Sequence, residues 1–312
     1  MGHACDRRER RDGRSRAHRA RPGEGVPVAA TPQRYSISLR KRYHTMRVIV
    51  FVLLTVAVWV YFRIWSRHRA IARGIRITRA MDAVTDAYRE GDYETALQKA
   101  EDLKDGLSKT AAYCYFRGSM LHHLGRFDEA EASLREGLPL EENRSRKALV
   151  CNTLASALME HQRYPEAIAV FEDAGRAWPD RGANQRGLAE VRLRQGRELP
   201  EALELARRAV EIDRRATGME KEALDSRLGE DLAVLAWAVA ANSGDVGEIE
   251  SLLEEAFPLC GAKTKPVLAE LHYHAGRAYE ALGIPEKTRE HFRQAIEADP
   301  KGNFGRLARV GS

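Results

Sequence analysis

The sequence predicts an all-α fold: a solenoid of about six helix–turn–helix hairpins preceded by one transmembrane helix. Two observations carry that expectation. A phrase recurs after residue 80, reading YCYFRGSMLHHLGRFDEAEASLREGL over 113–138 and LHYHAGRAYEALGIPEKTREHFRQAIEADP over 271–300. Self-similarity at a period of roughly 34 to 47 residues marks stacked supersecondary units rather than one globular core. Upstream, VIVFVLLTVAVWVYF (48–62) runs fifteen residues without a charge.

The chain has 312 residues and a net charge of +6 that is unevenly placed. Residues 1–46 carry twelve Lys/Arg against four Asp/Glu, residues 47–80 seven arginines and no acid, and residues 81–312 thirty-two basic against forty-one acidic groups. A basic front end therefore meets an acidic body. Specific nucleic-acid binding needs positive charge on the folded domain, so the sign of the body argues against it.

Residues 1–46 read as a basic, disordered tail rich in Arg, Gly, Pro and Ala. Met46 stands directly before the apolar run and is a candidate alternative start. Residues 47–65 read as the transmembrane helix. The fifteen uncharged residues rise only about 23 Å against a hydrocarbon core of roughly 30 Å. Arg47 and Arg63 can snorkel, Ile64 and Trp65 extend the apolar surface, and Trp59, Tyr61, Phe62 and Trp65 form an aromatic belt. A cleaved signal peptide is disfavoured because bulky and basic residues follow the run. A myristoyl site is disfavoured because MGHACD has Asp6 where Ser or Thr belongs.

Residues 66–80 read as a basic juxtamembrane helix. With Arg63 its arginines Arg67, Arg69, Arg73, Arg76 and Arg79 face anionic lipid, each contributing about 1 kcal/mol near the surface. Counted over the full chain, thirteen Lys/Arg precede or abut the span and the positive-inside rule puts the N-terminus in the cytoplasm; counted from Met46, one arginine precedes and six follow, and the expected body is cytoplasmic. No proline occurs between Pro32 and Pro139, and Gly74 is the only glycine between Gly25 and Gly91. One nearly continuous helix from about Arg47 to Arg89 is expected.

Residues 81–309 read as the solenoid. Turn positions fall at Gly91, Gly125, Gln162, Gly196, Gly244 and Gly283, with Tyr93, Phe127, Tyr164, Val246 and Pro285 two residues after five of them. Second helices open on Ala96, Ala130, Ala167 and Ala202. Four residues on stand Ala100, Leu134, Phe171, Ala206, Leu253 and Phe292, and three further Ala174, Ala209, Ala256 and Ala295. Small residues at fixed places let helices approach, large ones fill the gaps, and glycine supplies the left-handed turn. The fourth unit carries an extra residue near Glu198–Pro200. The fifth has Ile249 in place of the alanine, so the superhelix is expected to distort there.

At these residues the chain resembles the tetratricopeptide-repeat (TPR) family, over about 81–300. The resemblance implies a right-handed superhelix whose first helices line a concave groove accepting a peptide or a partner helix. By repeat register the groove lining comprises Tyr115, Ser119, His122, Asn152, Ser156, Arg186, Glu190, Tyr273 and Arg277. Some members clamp a terminal carboxylate with lysine and asparagine. Met81 and Thr85 occupy the corresponding places in the first unit, so no such clamp is expected.

No catalytic, cofactor or metal site is expected. His272 and His274 stand two apart and diverge on a helix, and no H-x-x-x-H or H-E-x-x-H occurs. His122 and His123 close a first helix, where a histidine cation suits the dipole. Cys114 and Cys151 share a register position and read as buried small hydrophobes. The function implied is that of a non-enzymatic, membrane-tethered scaffold or adaptor for a protein or peptide partner. The alternative is an accessory or regulatory subunit of a separately encoded enzyme or envelope-assembly complex. Anchored bacterial TPR proteins of the lipopolysaccharide-assembly type look similar at the front end. They add a four-cysteine module that this chain lacks.

Overall fold

The computed structural model describes residues 32–102, 110–218, 220–242, 244–260 and 264–311. The expected tail, residues 1–31 with Cys5, lies outside them. The chain divides into two units, Met1–Arg69 and Ala70–Ser312. Thirteen α-helices and no strand occur among the described residues.

Helix α1 (Pro32–Arg89), whose residues to Arg69 belong to the first unit, starts at Pro32, well before the expected Arg47. Residues 32–46 are therefore helical, where the composition predicted a disordered tail. Pro32 suits a first helical position, and no further proline or glycine interrupts the chain before Gly74. The twenty-eight-residue segment Arg42–Arg69 contains a window of eighteen residues with mean hydropathy 2.3, none of it buried, and is long and apolar enough to cross a membrane. Thr55 returns its hydroxyl to the Val52 carbonyl at 2.8 Å, so its one hydroxyl is satisfied inside the apolar run. At the basic end Arg63 lies over the Trp59 ring at 5.2 Å and Arg69 over Trp65 at 4.4 Å. The side chains of Arg73 and Arg76 lie outside the described ones.

In the second unit, the end of α1 pairs with α2 (Tyr93–Asp102) as the first hairpin. The next three pairs are α3 (Ala111–His123) with α4 (Phe127–Gly137), α5 (Arg144–Glu160) with α6 (Tyr164–Ala177), and α7 (Gly182–Gln195) with α8 (Leu199–Arg215). The last two are α9 (Lys221–Asn242) with α10 (Val246–Cys260), and α11 (Lys265–Ala281) with α12 (Pro285–Ala298). A short helix, α13 (Asn303–Gly311), follows. Among the predicted turn residues, Gly91, Gly125, Gly196, Gly244 and Gly283 all have positive φ, and Gln162 adopts the same conformation at φ 58°. The fourth turn holds two left-handed residues, Gly196 and Glu198, which absorbs the extra residue.

A large residue of a second helix fills the place of a glycine Cβ on its own first helix at Gly118 and Gly276, and on the first helix of the next hairpin at Gly187. A Cβ at Gly118 would stand 2.5 Å from Leu134, at Gly187 2.2 Å from Phe171, and at Gly276 2.5 Å from Phe292. Cys114, Cys151 and Cys260 are free, buried thiols. The fifth hairpin does not distort as expected. Ile249 is fully buried in the most extensive hydrophobic cluster of the described residues, with Leu232, Leu235, Val239, Leu253 and Leu271. An alanine-rich α9 (Ala233, Ala236, Ala238, Ala240) leaves room for the larger isoleucine.

The last hairpin and α13 also touch the first three. Tyr93, fully buried, donates to Asp299, whose Oδ1 accepts from the Gly302 amide at 3.0 Å. Arg306 donates to the carbonyls of His123 and His122 at the end of α3, and Asn303 Nδ2 donates to Glu160 at 3.1 Å. Outside, Lys301 pairs with Glu94 and Lys265 with Glu90. The solenoid thus closes end to end, which no periodic feature of the sequence announced.

Candidate partner-binding groove

Closure turns the concave face into a bounded cavity of about 320 Å³. First helices supply most of its wall, because their inward faces converge as the hairpins stack. Tyr115, Ser119, His122, Asn152, Ser156, Arg186 and Glu190 all line it. Tyr273 and Arg277 do not. Their register is the same, but α13 covers that face of the last hairpin. Tyr273 is buried against Phe292 and Phe304, with ring centroids 6.0 and 5.5 Å away. Arg277 lies over Trp237 at 5.0 Å and pairs with Glu280 at 2.8 Å.

Several lining residues were absent from the sequence expectation. Leu149, Ala183 and Glu270 stand one helical turn before the singled-out positions, Glu230 comes from the fifth hairpin, and Tyr88 and Phe304 come from the ends of the solenoid. The turn preceding each chosen position was a usable signal. The contribution of Phe304 was not, since α13 belongs to no repeat.

The wall is electrostatically dense. Arg194 reaches Glu160 at 2.8 Å and Glu190 at 2.7 Å, with all three side chains under a tenth exposed. The guanidinium holds the Glu190 carboxyl well below its usual range against the opposing effect of burial. Fully buried His274 places Nε2 3.4 Å from Glu190, too long for a strong hydrogen bond. Arg186 pairs with Glu230 at 2.7 Å and Asp231 at 3.0 Å, and Arg227 pairs with Asp213. Burial pushes the Asp231 carboxyl up to about 8.

His122 and His123 depart from the expected cations. Burial pushes His122 down to about 4 and His123 well below its ordinary value, and Arg306 adds to both effects. His123 stacks on Tyr93 at 4.5 Å and shares a 3.0 Å hydrogen bond with the Tyr88 hydroxyl. Both rings are therefore neutral wall residues. His272 and His274 diverge as expected: His272 meets His291 at 3.1 Å on another face. Among the described residues no group of three His, Cys, Asp or Glu side chains can hold a metal ion.

The tetratricopeptide-repeat family matches residues 81–144, 152–217 and 269–301. No curated protein matches significantly. Among solved structures, a chain of the APC/C hetero-tetramer Cut9–Hcn1 superposes with a TM-score of 0.51 at 15% identity, covering 70% of this chain. This chain spans only 39% of that one. PilW, a type IV pilus biogenesis factor, is similar at 17% identity over 75% of this chain and 98% of its own, with a TM-score of 0.45. PilF of Pseudomonas aeruginosa gives 14% identity over 75% and 97%, with a TM-score of 0.42.

Proposed function

The chain belongs to the tetratricopeptide-repeat family, and from that premise we propose that it is a membrane-tethered, non-catalytic scaffold holding a protein partner at its concave face. The observation that carries this reading is the bounded concavity walled by polar and aromatic side chains of first helices. The apolar Arg42–Arg69 segment supports the tether. Tethering raises the partner's effective concentration at the bilayer. The basic residues Arg63, Arg67, Arg69 and Arg79 favour anionic headgroups, and in a chain started at Met46 the arginines after the span outnumber the one before it, which favours a cytoplasmic body.

A photoreactive residue at Leu149, a partly exposed lining position, tests this reading in native membranes. One protein is expected to cross-link from Leu149 and not from Arg207, an exposed residue of α8. Equal adducts from both positions contradict the reading, as does a full chain that alkaline carbonate strips from the membrane. An accessory role beside a separately encoded enzyme predicts recovery of a catalytic subunit in fixed ratio.

A further inference from the structure

One acid of the cavity wall, Glu270, stands outside the ion pairs around it. Arg186 is engaged by Glu230 and Asp231, Arg194 behind the wall by Glu160 and Glu190, and Arg227 by Asp213. Arg181 feels Arg227 and Asp213 most strongly among its charged neighbours. Glu270 lines the same space with no ion-pair or hydrogen-bond partner among the described residues. A second polar group there is equally unserved: His122, 6% exposed, has no partner for Nε2. The Asn152 side-chain oxygen is likewise unpaired. Around these acceptors stand Tyr88, Tyr115, Phe171 and Phe304. Aromatic faces and an unpaired carboxylate together favour a desolvated organic cation. Val267, Pro266 and Met159 supply apolar wall for an aliphatic stem.

We propose that this cavity takes a guanidinium or primary ammonium group, carried on a basic side chain of the partner, seated on the Glu270 carboxylate with His122 and Asn152 as further acceptors. The inference rests on the concave face being the partner face. It adds a chemical class to that reading. Burial and the neighbouring Glu230, Glu190 and Asp231 push the Glu270 carboxyl well above its usual range, against the opposing pull of the Arg186 guanidinium. Seating the cation expels the Glu270 proton to solvent, so binding strengthens with rising pH.

Titration calorimetry on the full chain in detergent micelles tests this with three probes: acetyl-Ala-Arg-Ala-amide, its citrulline counterpart, and agmatine. The arginine peptide is expected to bind with net release of protons, read from the buffer dependence of the heat. The citrulline peptide, neutral but of the same shape, is expected to bind at least about tenfold more weakly. Glu270→Gln is expected to weaken the arginine peptide by a similar factor, and Glu254→Gln, on an exposed position of α10, to leave it unchanged. Agmatine binding as tightly as the peptide supports the cation site and assigns it to a free small molecule. Equal affinity for arginine and citrulline peptides, an unaltered Glu270→Gln variant, or no heat from either cation at millimolar concentration overturns the proposal. If Leu149 adducts persist in that case, the cation fails and the scaffold stands. If they vanish from the wild type, the scaffold reading itself fails.

Discussion

Arg194→Met is the most informative single perturbation of the body. Among the described residues Arg194 is the one arginine or lysine in pairing distance of both Glu160 and Glu190, and the three side chains are 9%, 5% and 8% exposed. Removing it strands two nearly buried carboxylates at the cavity wall. Breaking a buried pair from one side costs about 3–5 kcal/mol, most of it from the charges left behind. For a body of this size that corresponds to a fall in Tm of about 6–20 °C. Thermal unfolding of the full chain in detergent, followed by circular dichroism, reads the fall. Hydrogen exchange should localise the loss to α5, α7 and α11, which carry Glu160, Glu190 and His274. Arg194→Lys should recover only part of it, because one ammonium does not reproduce the fork that reaches both acids. Adding Glu160→Gln and Glu190→Gln to Arg194→Met should restore most of the stability. A loss below about 1 kcal/mol, or no rescue by the two glutamines, refutes the claim that this network is desolvated.

Gln162→Gly should stabilise the protein by about 0.5–1 kcal/mol, since the third turn holds a glutamine at φ 58° where its sister turns use glycine; a denaturant midpoint that falls contradicts this. Stability should also decline between pH 6.5 and 4. His122 and His272 are both pushed down to about 4 by burial, so the unfolded chain binds protons that the folded one refuses across this window. The contribution is at most about 3 kcal/mol for His122 and less for the partly solvated His272. His272→Gln should flatten the pH profile of the urea midpoint, and a profile unchanged by it contradicts the assignment.

The hairpins were legible because their determinants repeat. Glycine turns, opening alanines and the Leu134, Phe171 and Phe292 plugs each recur at fixed spacing, so noise in one copy is corrected by another. The fifth hairpin is not legible from Ile249 alone, because its room comes from small residues of α9 that lie outside the turn pattern. The start of α1 is obscured for a related reason: composition suggests disorder, while the absence of breakers after Pro32 permits a helix. Closure was invisible because Tyr93, Asp299 and Arg306 are singular residues about two hundred positions apart, with no period to reveal them. The groove was readable wherever register alone decides which face looks inward. It failed at Tyr273, where a non-repeating helix covers that face.

End-to-end closure is what converts an open groove into a bounded pocket, and the pair Glu94–Lys301 reports on it directly. Both residues are exposed, and their charged groups stand 3.4 Å apart. Spin labels at these two positions in the full chain, read by pulsed dipolar spectroscopy, should give one short, narrow distance distribution. Asp299→Ala, which removes the buried acceptor of Tyr93, should broaden it. A long or broad distribution in the unmodified background would show an open superhelix and contradict the closed cavity on which the proposed recognition depends.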